Sequence, residues 1–180
     1  MKRFIAILMA AAMLFALAAC GSDSAKNNVD ADGNHALSSN GITITLPADY
    51  YVYDQLDKTV YPDIATAFTN NAGDVAIYVI SEKFTELGVD SSFTADDYLD
   101  AQHENSTGMI TSVIKEEDGV RYYTYTYMNT EEIKDIVTLE YLNVAYKSSD
   151  AFWMVQFCCA QSDFDKKKPD FLKWAKTVTF

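Results

Sequence analysis

The stretch VTLEYLNVAYKSSDAFWMVQFCCA, residues 137–160, decides the fold. It contains two runs rich in β-branched and aromatic residues, 137–147 and 151–160, and the polar break Ser148-Ser149-Asp150 separates them. Runs of this composition joined by residues that favour turns are typical of antiparallel strands. The sequence therefore predicts a strand pair in the C-terminal half of the chain.

Two more runs of the same kind, 109–115 and 120–128, precede this pair. The segments between the four runs are short and polar, which favours strands that follow one another directly in a sheet. We therefore expect 109–160 to form a four-stranded antiparallel meander.

Shorter strands are predicted before the meander, at 41–47 (GITITLP), 49–54 (DYYVYD) and 74–81 (DVAIYVIS). The last of these is apolar enough to lie in the middle of a sheet. Residues 57–73 contain proline, asparagine and glycine, so they are interpreted as mostly loop, with one helical turn at 64–68.

Helical segments are predicted between and after the strands. A short turn or helical piece is expected at 84–88, and Thr94 with Asp97 resembles a capping box that begins a helix at 95–105. At the C-terminus, Ser162 is a candidate helix cap, Pro169 a restart of the helix, and 177–180 a short last strand. The prediction is one α+β domain at 41–180, an antiparallel sheet of about six or seven strands covered by helices.

The first residues of the chain predict export. Lys2 and Arg3 precede an apolar run of 16 residues, 4–19, which is shorter than the roughly 20 residues that a bilayer-spanning helix needs. The run ends in Leu17-Ala18-Ala19-Cys20, which resembles the lipobox of bacterial lipoproteins. The alternatives are an ordinary signal peptide with an incidental cysteine and a retained membrane helix.

The lipobox resemblance implies that residues 1–19 are removed and that Cys20 carries fatty acyl chains such as palmitate. Two or more acyl chains give stable anchoring. The expected location is therefore the bacterial cell membrane, with the protein lipid-anchored and facing outside the cytoplasm. Residues 20–40 are small and polar, and we expect them to be a flexible tether.

Composition and motifs disfavour several classes of function. The chain has 26 acidic and 14 basic residues, and removal of Lys2 and Arg3 would leave a formal charge of −14, which repels nucleic acid. Within the tether, DADGNH begins like a calcium-binding loop, but His35 stands where glycine is needed and Gly41 where glutamate is needed. No metal site and no cofactor are predicted.

The cysteines beyond Cys20 are the neighbours Cys158 and Cys159. Adjacent residues of a strand point to opposite faces of a sheet, so two free thiols are expected, with a strained vicinal disulfide as the alternative.

Several motifs together resemble a PsbP-like domain over residues 41–180: GITITLPADY, VISEKFTEL, TADDYLDAQHE, the meander, and WAKTVTF at the C-terminus. The resemblance implies an antiparallel sheet between helices, and a role in binding or assembly rather than catalysis. No metal-ligand motif of the photosynthetic members is matched, so their association with manganese and calcium is not carried over.

Catalytic motifs are weak. Of two histidines, His103 follows Asp100 by three residues on the predicted helix, which permits an Asp-His pair, but a solvated helical histidine explains it equally. There is no GxSxG, P-loop, GxGxxG or HExxH motif. No catalytic residue and no enzymatic activity are therefore predicted.

The tyrosines of RYYTYTYM, residues 121–128, are the candidate binding residues. Tyr123, Tyr125 and Tyr127 share one face of the predicted strand, either packed under helices or exposed as a partner surface. The first hypothesis is a lipid-anchored binding or accessory module acting on a protein partner of the cell envelope. The alternatives are a small-ligand carrier or sensor with a pocket between sheet and helices, and an envelope hydrolase around His103.

Overall fold

The computed structural model describes residues 29–90, 92–106, 110–128 and 138–180. Most of the predicted strands are present, with some differences in their bounds. The strands are β1 Asn34–Ser39, β2 Ile42–Pro47, β3 Tyr50–Val52, β4 Ile64–Asn70, β5 Val75–Lys83, β6 Ile110–Thr111, β7 Lys115–Glu117, β8 Val120–Met128, β9 Thr138–Lys147 and β10 Ala151–Ala160. The helices are α1 Phe84–Leu87, α2 Ala95–Asn105 and α3 Phe164–Ala175, and a 3₁₀ turn, Gln161–Asp163, precedes α3.

The strands form one large antiparallel sheet and one small one. The order in the large sheet is β3-β4-β5-β10-β9-β8-β6, with β7 also paired to β8. The predicted meander is confirmed, because β8, β9 and β10 are neighbours in chain order and β6 and β7 lie along the outer side of β8. Strands β1 and β2 form a separate hairpin.

Helices and the hairpin cover the two faces of the large sheet. On the face that we call the α3 face, α3 and the β1–β2 hairpin pack over residues such as Ile77, Val155 and Phe157. On the opposite face, the α2 face, α1 and α2 pack over residues such as Ile80 and Phe152. The predicted α+β class, an antiparallel sheet between helices, is therefore confirmed.

Helix α2 begins where the sequence predicts it. The backbone N–H of Asp97 donates to the Thr94 hydroxyl, and a carboxylate oxygen of Asp97 accepts from the backbone N–H of Thr94, so the capping box is complete. Tyr98, Leu99 and Gln102 form its buried side. The short helix α1 is also confirmed, and it ends at Gly88 with φ of 64°.

The helical turn predicted at 64–68 is wrong, although 57–63 and 71–73 are loop as expected. Residues 64–70 form β4, which is buried between β3 and β5. The turn-forming residues flank this strand instead of interrupting it, since Pro62 precedes it and Gly73 lies in the β4–β5 turn. The strand was missed because Ala65 and Thr66 interrupt the run of large apolar residues that usually marks a buried strand.

The prediction of a flexible tether over 20–40 is wrong at its C-terminal end. Residues 34–39 form β1, and residues 20–28 of the expected tether lie outside the described residues. His35 and Leu37 are the buried side of β1, and the imidazole of His35 is hydrogen-bonded to the Tyr50 carbonyl at 3.0 Å. The missed signal is Asn40-Gly41, since both residues have positive φ, as a two-residue hairpin turn requires.

Three details at strand and helix ends also differ. The run at 109–115 is divided between β6 and β7, and its first residue lies outside the described part. Helix α3 starts at Phe164 with Asp163, not Ser162, at its N-cap, and it runs through Pro169 without a restart. The last residues form a single bridge, Thr43 with Thr179, in place of a strand.

Candidate functional site: a cleft at one end of the sheet

The tyrosine row of β8 does not form an exposed surface. Tyr123 is 3% exposed and Tyr125 is 4% exposed, and only Tyr127 is half-buried. Their face of β8 is the α2 face, so the Tyr123 ring meets His103 of α2 at 5.1 Å and the Tyr125 ring stacks on Tyr141 at 4.6 Å. The expected partner surface is thus corrected at Tyr123 and Tyr125.

These tyrosines belong to a polar layer inside the domain. Neighbouring strands place Tyr123 opposite Asn143, Asn143 opposite Gln156, and Gln156 opposite Tyr78. The amide of Gln156 donates to the side-chain oxygen of Asn143 at 2.9 Å. Each member of this row is buried, and hydrogen bonds between the amides offset their loss of water.

For one hydroxyl of the layer, that of Tyr141, no hydrogen bond of this kind offsets the loss of water. The Tyr141 hydroxyl is buried and makes no hydrogen bond with any described residue. It lies near the Cys158 thiol, which is only a weak hydrogen-bonding group and whose pKa burial raises to about 12. Burial also raises the pKa of Tyr125 and Tyr141, so this part of the core holds neutral phenols and a neutral thiol.

A buried carboxylate lies on the same face, under α2. Glu82 of β5 is 8% exposed and accepts hydrogen bonds from the Tyr98 hydroxyl and, at 2.9 Å, from the Gln102 amide. Burial raises the pKa of Glu82, while the bond from Tyr98 opposes that rise. The group docks α2 on the sheet through its hydrogen bonds.

The Asp-His pair is not formed. The imidazole of His103 is hydrogen-bonded to the carbonyl of Ser112 at 2.8 Å. Asp100 instead accepts a hydrogen bond from the Arg121 guanidinium at 2.7 Å. A catalytic pair on α2 therefore has no support from the contacts of either residue.

The concave feature of interest lies at the end of the sheet where β8 begins and β9 ends. It is a cleft of about 290 Å³, which we call the strand-end cleft. Helix α2 borders it on one side and the end of α3 borders it on the other. Its lining residues are Asp96, Leu99, Gly119, Val120, Arg121, Val144, Ala145, Tyr146, Ala175, Lys176 and Val178.

The cleft combines an apolar floor with a charged rim. Valine and alanine side chains from β8, β9 and the chain after α3 supply the floor, including Val144 and Ala145. The rim has two cations, Arg121 and Lys176, and one carboxylate, Asp96. Arg121 is paired with Asp96 and Asp100, so Lys176 is the rim cation left to attract an anionic group of a ligand.

Arg121 is held in place by α2. Its guanidinium donates to the Asp96 carbonyl at 3.1 Å and to the Asp100 carboxylate at 2.7 Å. On the opposite wall, the Tyr146 hydroxyl donates to the Ala175 carbonyl at 2.7 Å, which ties β9 to the end of α3. Both walls of the cleft are thus fixed to the sheet by side-chain hydrogen bonds.

The cysteines are buried free thiols, as expected from their alternation in β10. Cys158 faces the α2 face and Cys159 the α3 face, and neither forms a disulfide. Cys20 lies outside the described residues, and its lipidation stays a prediction. Within the described ranges, no cluster of three or more metal-binding side chains occurs.

The residues that begin like a calcium-binding loop close a turn. The Asp30 carboxylate accepts from the backbone N–H of Asp32 at 2.9 Å and of Asn34 at 2.8 Å, and so closes the turn before β1.

No helix in the described part of the chain is long and apolar enough to cross a membrane.

No protein-family model matches the chain, and no curated protein matches it. Among solved structures, the fold is similar to that of a protein from Bacteroides thetaiotaomicron VPI-5482, with a TM-score of 0.52 and 10% identity. That match covers 79% of this chain and 46% of the other, so this chain spans about half the length of that protein. The likeness concerns the fold alone.

Two further solved structures are similar at lower TM-scores. Cyanobacterial PsbP (CyanoP) from Synechocystis sp. PCC 6803 matches with a TM-score of 0.46 and 18% identity, over 91% of this chain and 98% of that one. LpqN, described as involved in cell envelope biogenesis of Mycobacterium tuberculosis, matches with a TM-score of 0.45 and 12% identity, over 81% and 89%.

Proposed function

We propose that the chain is a lipid-anchored, extracytoplasmic binding or accessory module of the bacterial envelope, and that the strand-end cleft holds a segment of a protein partner. The lipobox resemblance at 17–20 supports the anchor. The observation that carries the binding role is the cleft itself, with its apolar floor and the rim cations Arg121 and Lys176.

The chemistry of the cleft favours a peptide segment over a compact polar metabolite. Binding sites for protein segments pair buried apolar contacts with a few charged or polar contacts at the rim. An apolar side chain would pack against Val144 and Val178, while a carboxylate of the partner would approach Lys176. The cleft is small, so it accommodates one or two side chains, and the rest of the interface would lie on the surrounding surface.

The test is photo-crosslinking from the cleft rim in the native membrane. A photoreactive amino acid at position 176 should crosslink one defined protein, and the same residue at exposed Asn71, in the β4–β5 turn at the other end of the sheet, should not. Substitution of Lys176→Glu should weaken the association by roughly tenfold or more, since it replaces an attractive charge by a repulsive one.

A matched substitution makes this test specific. Lys83→Glu changes the charge by the same amount at an exposed position that does not line the cleft, so the association should persist. Equal loss in both variants would indicate a general electrostatic effect. Identical crosslinks from positions 176 and 71 would contradict the assignment of the partner to the cleft.

The carrier of a small ligand stays as the second candidate, and the Tyr141 hydroxyl is the observation that favours it. A buried hydroxyl without a partner among the described residues is costly, and a ligand with a polar atom would remove that cost. Native mass spectrometry of protein extracted from its own membrane distinguishes the two candidates. A bound small molecule would support the carrier, and a stoichiometric protein would support the binding module.

A further inference from the structure

The charges of the domain are divided unequally between its two faces. Residues 164–180, which include α3, carry five lysines and two aspartates. Residues 82–106, which include α1 and α2, carry seven acidic residues and one lysine. The α2 face is therefore strongly negative, whereas the helix on the α3 face carries the largest group of cations.

Some of the cations on α3 point into solvent. Lys166, Lys173 and Lys176 are exposed, and Lys166 lies 3.7 Å from Asp163. Lys167 and Lys168 are partly buried and pair with Asp74 and Glu117 respectively. Lys166 and Lys173 are seven residues apart, so they lie on the same side of the helix. They form a pair of cations on that side, with the exposed Asp170 between them.

The N-terminal end of the described part of the chain also lies at the α3 face. The hairpin β1–β2 packs there, and the Thr45 backbone N–H donates to the Thr177 hydroxyl at 3.0 Å. At the start of the hairpin, Lys173 is near enough to Asp30 to help lower the pKa of that carboxyl, although the bond from the Asn34 backbone contributes most.

The distance from this N-terminal end to the predicted anchor is short. Eight residues, 21–28, lie between Cys20 and Val29, the first described residue, so nine Cα–Cα steps join the two. Even a fully extended chain of this length spans only about 30 Å. A lipid on Cys20 would therefore hold the α3 face within a small distance of the bilayer.

We infer that the α3 face lies against the membrane, with Lys166 and Lys173 in contact with the anionic headgroups of the lipid bilayer. The inference rests on the proposed lipid anchoring at Cys20. The same headgroups repel the acidic α2 face, so attraction and repulsion favour one orientation. Each lysine close to an anionic surface strengthens its association by about fivefold, within roughly one Debye length of 8–10 Å.

The experiment compares two labelling sites on the full acylated chain reconstituted into vesicles. Asp170→Cys lies on the exposed side of α3 and Glu104→Cys on the exposed side of α2, and each removes one negative charge. Both carry the same fluorophore, and lipids with nitroxide headgroups act as quenchers. Cys158 and Cys159 are 3% and 1% exposed, and burial raises the pKa of each to about 12, so labelling is confined to the new site.

The expected result is stronger quenching at position 170. On vesicles with about one third phosphatidylglycerol, quenching at 170 should exceed that at 104 by about twofold or more, and the excess should shrink in high salt. The double variant Lys166→Gln/Lys173→Gln should lose the excess. The control Lys83→Gln, which removes one positive charge at an exposed lysine outside α3, should keep it.

Each other outcome overturns the inference in a recognisable way. Equal quenching at the two positions, or quenching at 170 that is the same on pure phosphatidylcholine, would reject the contact with anionic lipid and leave the anchor intact. A chain that is not acylated at Cys20 and associates with neither kind of vesicle would reject the anchoring as well.

Discussion

Two buried tyrosines of the α2 face differ in whether their hydroxyl forms a hydrogen bond. This difference gives a matched pair of substitutions. The Tyr98 hydroxyl donates to Glu82, whereas the Tyr141 hydroxyl has no partner among the described residues. Tyr98→Phe should lower the free energy of unfolding by about 1–3 kcal/mol, because it takes a donor from a buried carboxylate. Tyr141→Phe should leave that free energy unchanged or slightly increased. Equilibrium urea unfolding measures both.

The same pair reports on the second candidate function. If Tyr141→Phe proved as costly as Tyr98→Phe, the Tyr141 hydroxyl would have to bond a group outside the described contacts. That outcome would favour the small-ligand carrier and would direct the search to the polar layer around Tyr125 and Cys158.

Glu82 is expected to make stability depend on pH in the less common direction for a carboxylate. Burial raises its pKa above the ordinary 4.5, so the folded state binds the proton more tightly than the unfolded state. The stability that this group contributes is therefore fully present below about pH 4.5 and is lost as pH rises through the folded pKa. Glu82→Gln cannot titrate, so its stability relative to the parent protein should increase from about pH 4 to about pH 7.

Urea unfolding of the parent and the variant across that range tests this expectation. Glu116→Gln is the control, since it removes an exposed carboxylate of β7, at the far edge of the sheet from Glu82, and its difference from the parent should stay nearly constant. A difference for Glu82→Gln that shrinks with rising pH would mean that the hydrogen bonds from Tyr98 and Gln102 outweigh the cost of burial.

Among the elements, the β1–β2 hairpin depends most on one residue. Gly41 has φ of 91°, where a side chain strains the backbone, although an added Cβ would be 3.7 Å from Trp153, which is an ordinary contact. Gly41→Ala should therefore cost about 1–2 kcal/mol through backbone strain and not through a clash. Gly41→Asn should cost less, because asparagine tolerates positive φ better. Thermal unfolding of the two variants separates strain from crowding, since crowding would make the larger asparagine the more harmful.

The elements that were predicted correctly are those whose sequence pattern lies within the element itself. The meander strands, α1 and α2 all have a clear composition or cap, such as Thr94 with Asp97. Strand β4 was missed because its burial comes from neighbours, β3 and β5, rather than from its own alternation. Strand β1 was missed because the polar composition of 20–40 outweighed the turn signal of Asn40-Gly41.

The strand-end cleft was not predictable, because its walls come from parts of the chain that are far apart in sequence. Asp96, Arg121, Ala145 and Lys176 meet there only after α2, β8, β9 and α3 have packed. The tyrosines of β8 were predictable as one face of a strand, but which helix covers that face is a property of the tertiary structure. Arg121, as the single cation of β8, was the one local hint of a charged rim.

At the scale of the whole molecule, the excess of acidic residues should limit stability at low ionic strength. Carboxylates crowd the α2 face, and Glu104 is exposed there without an ion pair to any described residue. Elsewhere the attraction is local, as between Asp74 and Lys167 at 3.1 Å. With a formal charge of −12 for the chain, we expect repulsion to outweigh these pairs.

The melting temperature should therefore rise when salt increases from about 0.01 M to about 0.1 M, as the Debye length falls from about 30 Å to about 10 Å. Two variants that each remove one negative charge test the cause. Glu104→Gln should raise the melting temperature at low salt, because it relieves repulsion, whereas Asp74→Asn should lower it, because it breaks an attractive pair. Calorimetry at both salt concentrations measures the shifts, at about 2–4 °C for each kcal/mol. A melting temperature that falls with salt, or a stabilising Asp74→Asn, would show that ion pairing between the faces and their neighbours dominates the repulsion.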